Sequence, residues 1–261
     1  MASVELTPRS AVVVLGASNV SRGLARMATV ARSRCGTVDL FVAAGHGRSY
    51  GANSRVAMRR LPSILGSGLW RALDREGIGT TRPSLALVTD IGNDLLYGFS
   101  VEQVAAWVGE GVRRLAERGA RIAVTRLPVA SVQRVGSVRY RALRTCYVPG
   151  CRLSLPDLKA AVIDLDARVA SIAERHGATV LDQPGAWYGL DAIHVRRRRL
   201  DELWHRASDA WAMPSAASAN ASWREWVRLG TKSAEVRSVA RVMRYTPQPV
   251  VSGGDLRLWL Y

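Results

Sequence analysis

Short, almost wholly apolar runs alternate along this chain with longer stretches of helical period. AVVVLGASN (11–19), TVDLFVAAG (37–45), SLALVTDIGND (84–94), RIAVTRLPVA (121–130) and ATVLD (178–182) each read as a buried strand running into a turn. Between them the spacing predicts helices over 20–32, 55–76, 101–119, 155–177 and 198–211, with Gly119 and Gly177 as stops. Strands that are apolar on both faces and separated by helices belong to a parallel sheet covered on both sides. The expected class is therefore a doubly wound α/β/α sandwich. Two stretches exceed that plan: a long loop from Ala130 to Pro156, and everything from about Met213 onward.

Composition narrows the picture. The 261 residues are 48% hydrophobic and 22% charged, as expected of a globular chain with a sizeable core. No apolar run reaches the ~18–20 residues that span a bilayer. The opening MASVELTPRS has no apolar stretch of signal-peptide length, so a cytoplasmic location is the expectation. The formal charge of +16 is almost all arginine, since Lys159 and Lys232 are the only lysines. Such a bias follows from a GC-rich coding sequence, yet its field attracts anions whatever its origin. Cys35, Cys146 and Cys151 suggest neither a disulfide framework nor a structural zinc site; isolated thiols are expected, with a redox pair at Cys146 and Cys151 as the alternative.

In an open parallel sheet the ligand crevice lies at the carboxyl ends of the strands. The loop after the first strand carries Ser18 at the mouth of a helix, where unpaired N–H groups favour developing negative charge; the same features suit an ordinary helix cap. The loop after the third carries Asn93, either a turn residue or an amide donor to an oxyanion. After the fifth, Asp191 precedes His194 by three residues, a spacing that lets a carboxylate orient an imidazole. His46, His176 and His205 have no comparable partner in sequence.

These blocks, in this order, resemble the SGNH hydrolases, the GDSL-type esterases and lipases. The matching residues are Ser18 in GASNVSRG, Gly47 in GHGRSYG, Asn93 in IGNDLL, and Asp191 with His194 in DAIH. The chain departs from the family pattern at Ala17, where an aspartate is usual, and at Ile91, where the glycine is usual. The second block is loose enough that Gly45 competes with Gly47. The resemblance spans about residues 10–212 and implies a flavodoxin-like sheet of five parallel strands in the order 2-1-3-4-5. It also implies an esterase whose nucleophile is Ser18, with His194 as base, Asp191 as its orienting carboxylate, and an oxyanion hole of the Ser18 and Gly47 N–H groups and the Asn93 amide. No metal or organic cofactor is implied.

Gly47-Arg48-Ser49-Tyr50-Gly51 also matches G-x-S-x-G, the nucleophile elbow of α/β-hydrolases. Only two strands precede it, and no glycine-rich oxyanion loop comes before, so the loop is expected to serve the oxyanion hole and substrate instead. Arg48 is a candidate for an anionic substrate group, or a solvated arginine. Trp187 and Tyr188 are candidates to line a substrate pocket or to pack in the core. Arg196–Arg199 is either a solvated helix start or a phosphate contact.

The expectation is thus an SGNH-like domain over 1–212 acting on a small-molecule ester, with acyl transfer as a variant and no selective nucleic-acid partner. Residues 213–261 form an extension that packs on the body or across a homodimer interface. It carries a short amphipathic helix with Trp223 and Trp226, and a hairpin turning at Gly253-Gly254-Asp255. The rival class is an inactive scaffold of the same fold that binds nucleic acid or another anionic partner.

Overall fold

The computed structural model describes residues 9–213 and 221–261. The chain begins with β1 (Ser10–Leu15), α1 (Ser18–Cys35) and β2 (Val38–Ala43), then β3 (Ser54–Val56), β4 (Arg59–Leu61) and α2 (Leu69–Arg75). It continues through β5 (Ser84–Val88), α3 (Asn93–Leu96), α4 (Val101–Ala116) and β6 (Arg121–Thr125). Next come α5 (Val129–Gln133), α6 (Ser137–Tyr147), α7 (Leu155–Arg175), β7 (Thr179–Leu181) and α8 (Leu200–Ala210). The last elements are α9 (Trp223–Gly230), β8 (Val236–Val239), β9 (Val242–Tyr245), β10 (Val251–Gly253) and β11 (Leu256–Leu260).

The central sheet has the order β10-β11-β2-β1-β5-β6-β7, parallel except for the β10–β11 hairpin. The five strands expected from the sequence stand in the expected order. β1 shows how the layers form, because a pleat sends alternate side chains to opposite faces. Val12 and Val14 join Val20, Leu24, Leu203 and Trp204 beneath α1 and α8. Val13 and Leu15 join Leu73, Val104, Leu165 and Val169 beneath α2, α4 and α7.

Three expectations are corrected. The sheet has seven strands, because the C-terminal segment adds β11 alongside β2 and folds back as β10 through Gly253 and Gly254. Trp259 stacks on Phe41 with ring centroids 4.3 Å apart, and burial of such a side chain contributes roughly 1.5–3 kcal/mol. The helix expected over 55–76 is instead the β3–β4 hairpin followed by the short α2. Pro62, Gly66 and Gly68 break the helical period, and β4 finds a distant partner in β8. The result is a small antiparallel sheet, β3-β4-β8-β9. The long loop 130–156 contains α5 and α6.

Trp223 and Trp226 of α9 are largely exposed while Leu229 is buried, and the Arg197 guanidinium lies 5.7 Å from the Trp226 ring centroid. Residues 1–8 and 214–220, which include most of the N-terminal decapeptide and the start of the extension, lie outside the described residues. No helix among the described residues is long and apolar enough to cross a membrane.

Candidate active site

The carboxyl ends of β1, β2 and β5, together with the segment after β7, converge on one cleft. Ser18 is the first residue of α1, and its Oγ lies 2.8 Å from His194 Nε2. His194 Nδ1 is hydrogen-bonded to the Asp191 carboxylate. The i, i+3 spacing works because Asp191 also folds back on its own loop: its Oδ1 accepts the N–H groups of Ile193 (3.1 Å) and His194 (3.3 Å). Burial alone would raise the Asp191 pKa; the hydrogen bond and charge of His194, with the two backbone N–H groups, hold it below its ordinary value instead.

The residue after Ser18 holds the histidine in place. Asn19 Oδ1 accepts the N–H of Val195 at 2.9 Å, and its Nδ2 donates to the carbonyl of Ile193 at 3.3 Å, gripping the backbone on both sides of His194. The same Nδ2 donates to Asp90 Oδ1 at 2.7 Å. The other oxygen of Asp90 accepts the N–H groups of Ala17 (2.8 Å), Asn19 (2.9 Å) and Val20 (3.2 Å), at the positive end of α1. Among the described residues the N–H of Ser18 has no acceptor. The carboxylate absent at Ala17 is therefore supplied from the loop after β5, where Asp90 takes a left-handed φ of 57° that aspartate tolerates better than most residues. Neither Asn19 nor Asp90 stands out in sequence; at most, D-x-G-N beside a strand end hints at Asp90.

Gly92 explains the displaced glycine of the third block. Its φ is 117°, which strongly favours glycine, and it starts the short helix that carries Asn93. The Asn93 Nδ2 is buried without a hydrogen-bond partner, in the cleft it shares with Ser18, Gly47 and His194. A buried amide left unpaired costs about 1–3 kcal/mol, so this group is poised for a ligand acceptor.

Gly47 turns the second loop at φ 65°, and its carbonyl accepts the Tyr97 hydroxyl at 2.8 Å. A Cβ there would fall 2.6 Å from that hydroxyl and from Val56 Cγ2. Gly45, the alternative in sequence, lines a different cavity.

Ser49 lies apart from this chemistry. Its Oγ accepts the Ala52 N–H at 2.9 Å, and the neighbouring Tyr50 N–H donates to Asp94 Oδ2 at 3.1 Å, a carboxyl that burial pushes up. No histidine hydrogen-bonds Ser49 among the described residues. Arg48 is a correction: it is 0% exposed, and its guanidinium donates to the carbonyls of Ala44, Pro62, Ser63 and Tyr261. Its electrostatics are spent inside the fold, and substrate has no access to it. Trp187 is likewise core, packed on the α1–α8 side with Arg206 4.9 Å from its ring centroid. Tyr188 lines a cavity of about 60 Å³ beneath Ser18 and Asn93, its hydroxyl donating to Gln183 Oε1 at 2.5 Å. Arg196–Arg199 leads into α8, with Arg199 3.3 Å from Glu202.

Sequence reasoning missed Tyr147, on α6 within the segment read as a loop. Its ring meets the His194 imidazole edge-on at 5.8 Å, and its hydroxyl lies 3.4 Å from Asp191 Oδ2. A neighbouring cavity of about 50 Å³, walled by Leu96, Val132, Val135, Tyr140 and Leu158, is apolar almost throughout.

No protein-family model matches this sequence, and no curated protein does. Solved structures do match. Est24, a carbohydrate acetylesterase from Sinorhizobium meliloti, superposes with a TM-score of 0.53 at 13% identity, covering 78% of this chain and 99% of Est24. The psychrotrophic esterase EstA from Pseudoalteromonas sp. aligns over 78% of this chain and 98% of its own, at 14% identity and a TM-score of 0.46. The likeness to Est24 shows a shared fold, a mostly parallel sheet flanked by helices.

Proposed function

We propose that this chain is a serine ester hydrolase working through an acyl-enzyme. Ser18 Oγ attacks the ester carbonyl while His194 Nε2 takes its proton. Asp191 holds the tautomer that leaves Nε2 free and stabilises the imidazolium that forms. Negative charge developing on the carbonyl oxygen meets the N–H groups of Ser18 and Gly47 and the amide of Asn93. His194 then protonates the leaving alcohol. Water, activated by the same imidazole, releases the acid and restores Ser18; another alcohol in place of water would make the reaction an acyl transfer. The apolar cavity beside Ile193 suits the acyl side of the ester.

The observation that carries this reading is the continuous hydrogen-bonded chain from Asp191 through His194 to Ser18, with the unpaired Asn93 amide beside it. The test is hydrolysis of short-chain aryl esters by wild type and by Ser18→Ala, with circular dichroism as the fold control. Turnover that survives in Ser18→Ala would reject the assignment. A folded wild type that cleaves no ester would leave the binding-scaffold class.

A further inference from the structure

A second cavity, of about 190 Å³, adjoins the same glycine loop and has no part in the proposed hydrolysis. Its walls come from that loop, from β4, and from the segment between α9 and β8. Its charged lining residues are Arg59, Lys232 and Arg237, and its polar ones include His46, Ser21 and Ser233; among the described residues no carboxylate lines it. The small sheet gathers the arginines. Arg59 pairs with Val239, two residues from Arg237 and thus on the same side of the pleat.

Several arginines elsewhere in this chain meet carboxylates, as Arg26 meets Asp201 and Arg257 meets Asp39. These cations do not. Arg59 donates to the His46 carbonyl at 3.1 Å and Arg237 to the Ser233 hydroxyl, both neutral acceptors. Among the described residues Arg59, Lys232 and Arg237 make no ion pair, and Arg237 Nε is buried without any partner. Burial and the nearby Arg237 together hold the Arg59 pKa below its ordinary value. Desolvated like charges are costly, and the cost falls when an anion joins them. Two guanidinium forks with an ammonium and hydroxyls fit an oxygen-rich anion best.

We propose that this cavity is a binding site for a phosphate-sized oxyanion. It borders the active site: His46 lines both the cavity and the cleft of Ser18, and Arg59 grips the carbonyl of His46, the residue before Gly47. The oxyanion is either a group carried by the ester substrate or a separate small molecule.

The test uses the full chain and inorganic phosphate, titrated calorimetrically at constant low chloride. Saturable binding is expected in wild type and in Ser18→Ala alike, so the outcome stands apart from the hydrolytic reading. Arg237→Gln and Arg59→Gln should each weaken it at least tenfold and Lys232→Gln, on an exposed loop, about threefold, with thermal melts confirming the fold. Arg198→Gln, in the arginine run elsewhere, should leave it unchanged. Absence of saturable binding in folded wild type, or an equal loss in Arg198→Gln, overturns the proposal. Two further arms separate the sources. Phosphate competing with a neutral ester, together with a lower KM for an acetyl ester of glycerol phosphate than of glycerol, assigns the anion to the substrate. A changed kcat without competition assigns it to a separate ligand.

Discussion

Asp39 and Asp90 sit at opposite ends of the central sheet and are satisfied in opposite ways. Asp39, where β2 begins, is fully buried and takes three cations: Arg9 at 2.6 Å, Arg82 at 2.7 Å, and Arg257 from β11. Asp90, just past the carboxyl end of β5, takes no cation among the described residues; its partners there are three backbone N–H groups and one amide, all at or beside Ser18. The first arrangement ties the N-terminal and C-terminal segments to the sheet. The second spends a carboxylate on the orientation of one helix end and one loop. One end of the sheet is built for cohesion and the other for geometry, so substitutions at the two should separate stability from turnover.

The largest effect is expected at the proposed nucleophile: Ser18→Ala should lower kcat on an aryl ester by on the order of 10⁴-fold or more, with an unchanged melting temperature. Asn93→Ala, which removes one oxyanion donor, should cost about 10²–10³ in kcat with little change in KM, read from steady-state kinetics. Asp90→Asn should cost roughly 10- to 100-fold in kcat, because the N–H groups at the start of α1 lose a charged acceptor and Asn19 is set free to move. Equal activity in Asp90→Asn and wild type would break the comparison at its functional end.

Asp39→Asn belongs to the other end and should leave kcat alone. Burial opposes ionisation of Asp39, but hydrogen bonds from Arg257, Arg9 and Arg82 outweigh it and set the pKa at about 2, below the ordinary 3.8. A carboxylate with a depressed folded pKa stabilises fully above its unfolded value and loses that contribution as pH falls through the folded value. The wild type should therefore exceed Asp39→Asn by about 2 kcal/mol above pH ~4, and the gap should close between pH ~4 and ~2. Denaturant melts across that window check it; a pH-independent gap would mean the ion cluster is not its source.

What was legible in the sequence follows the range of the interactions. Ser18, Asn93 and the Asp191–His194 pair each sit in a short block next to a strand end, and the geometry between Asp191 and His194 is set within four residues. The five strands followed from their apolar runs, and their order was what the family likeness implied. Contacts between distant segments were not legible. Asp90 reaches Asn19 across 71 residues, and nothing near Asp90 announces that partner. Arg48 beside two glycines read as a solvent or substrate arginine because its cage includes the carbonyl of Tyr261, 213 positions away. The 55–76 segment read as a basic helix because its arginines mask a hairpin that only β8 completes. Tyr147 was hidden by a similar error, its helix having been read as loop.

The most direct measurement of the central claim is the mass of the intact protein after reaction with a fluorophosphonate, followed by peptide mapping of the adduct. Wild type and Ser49→Ala should each carry one adduct on the peptide containing Ser18, and Ser18→Ala should carry none. A folded wild type without an adduct, or an adduct mapped to Ser49, would contradict the account.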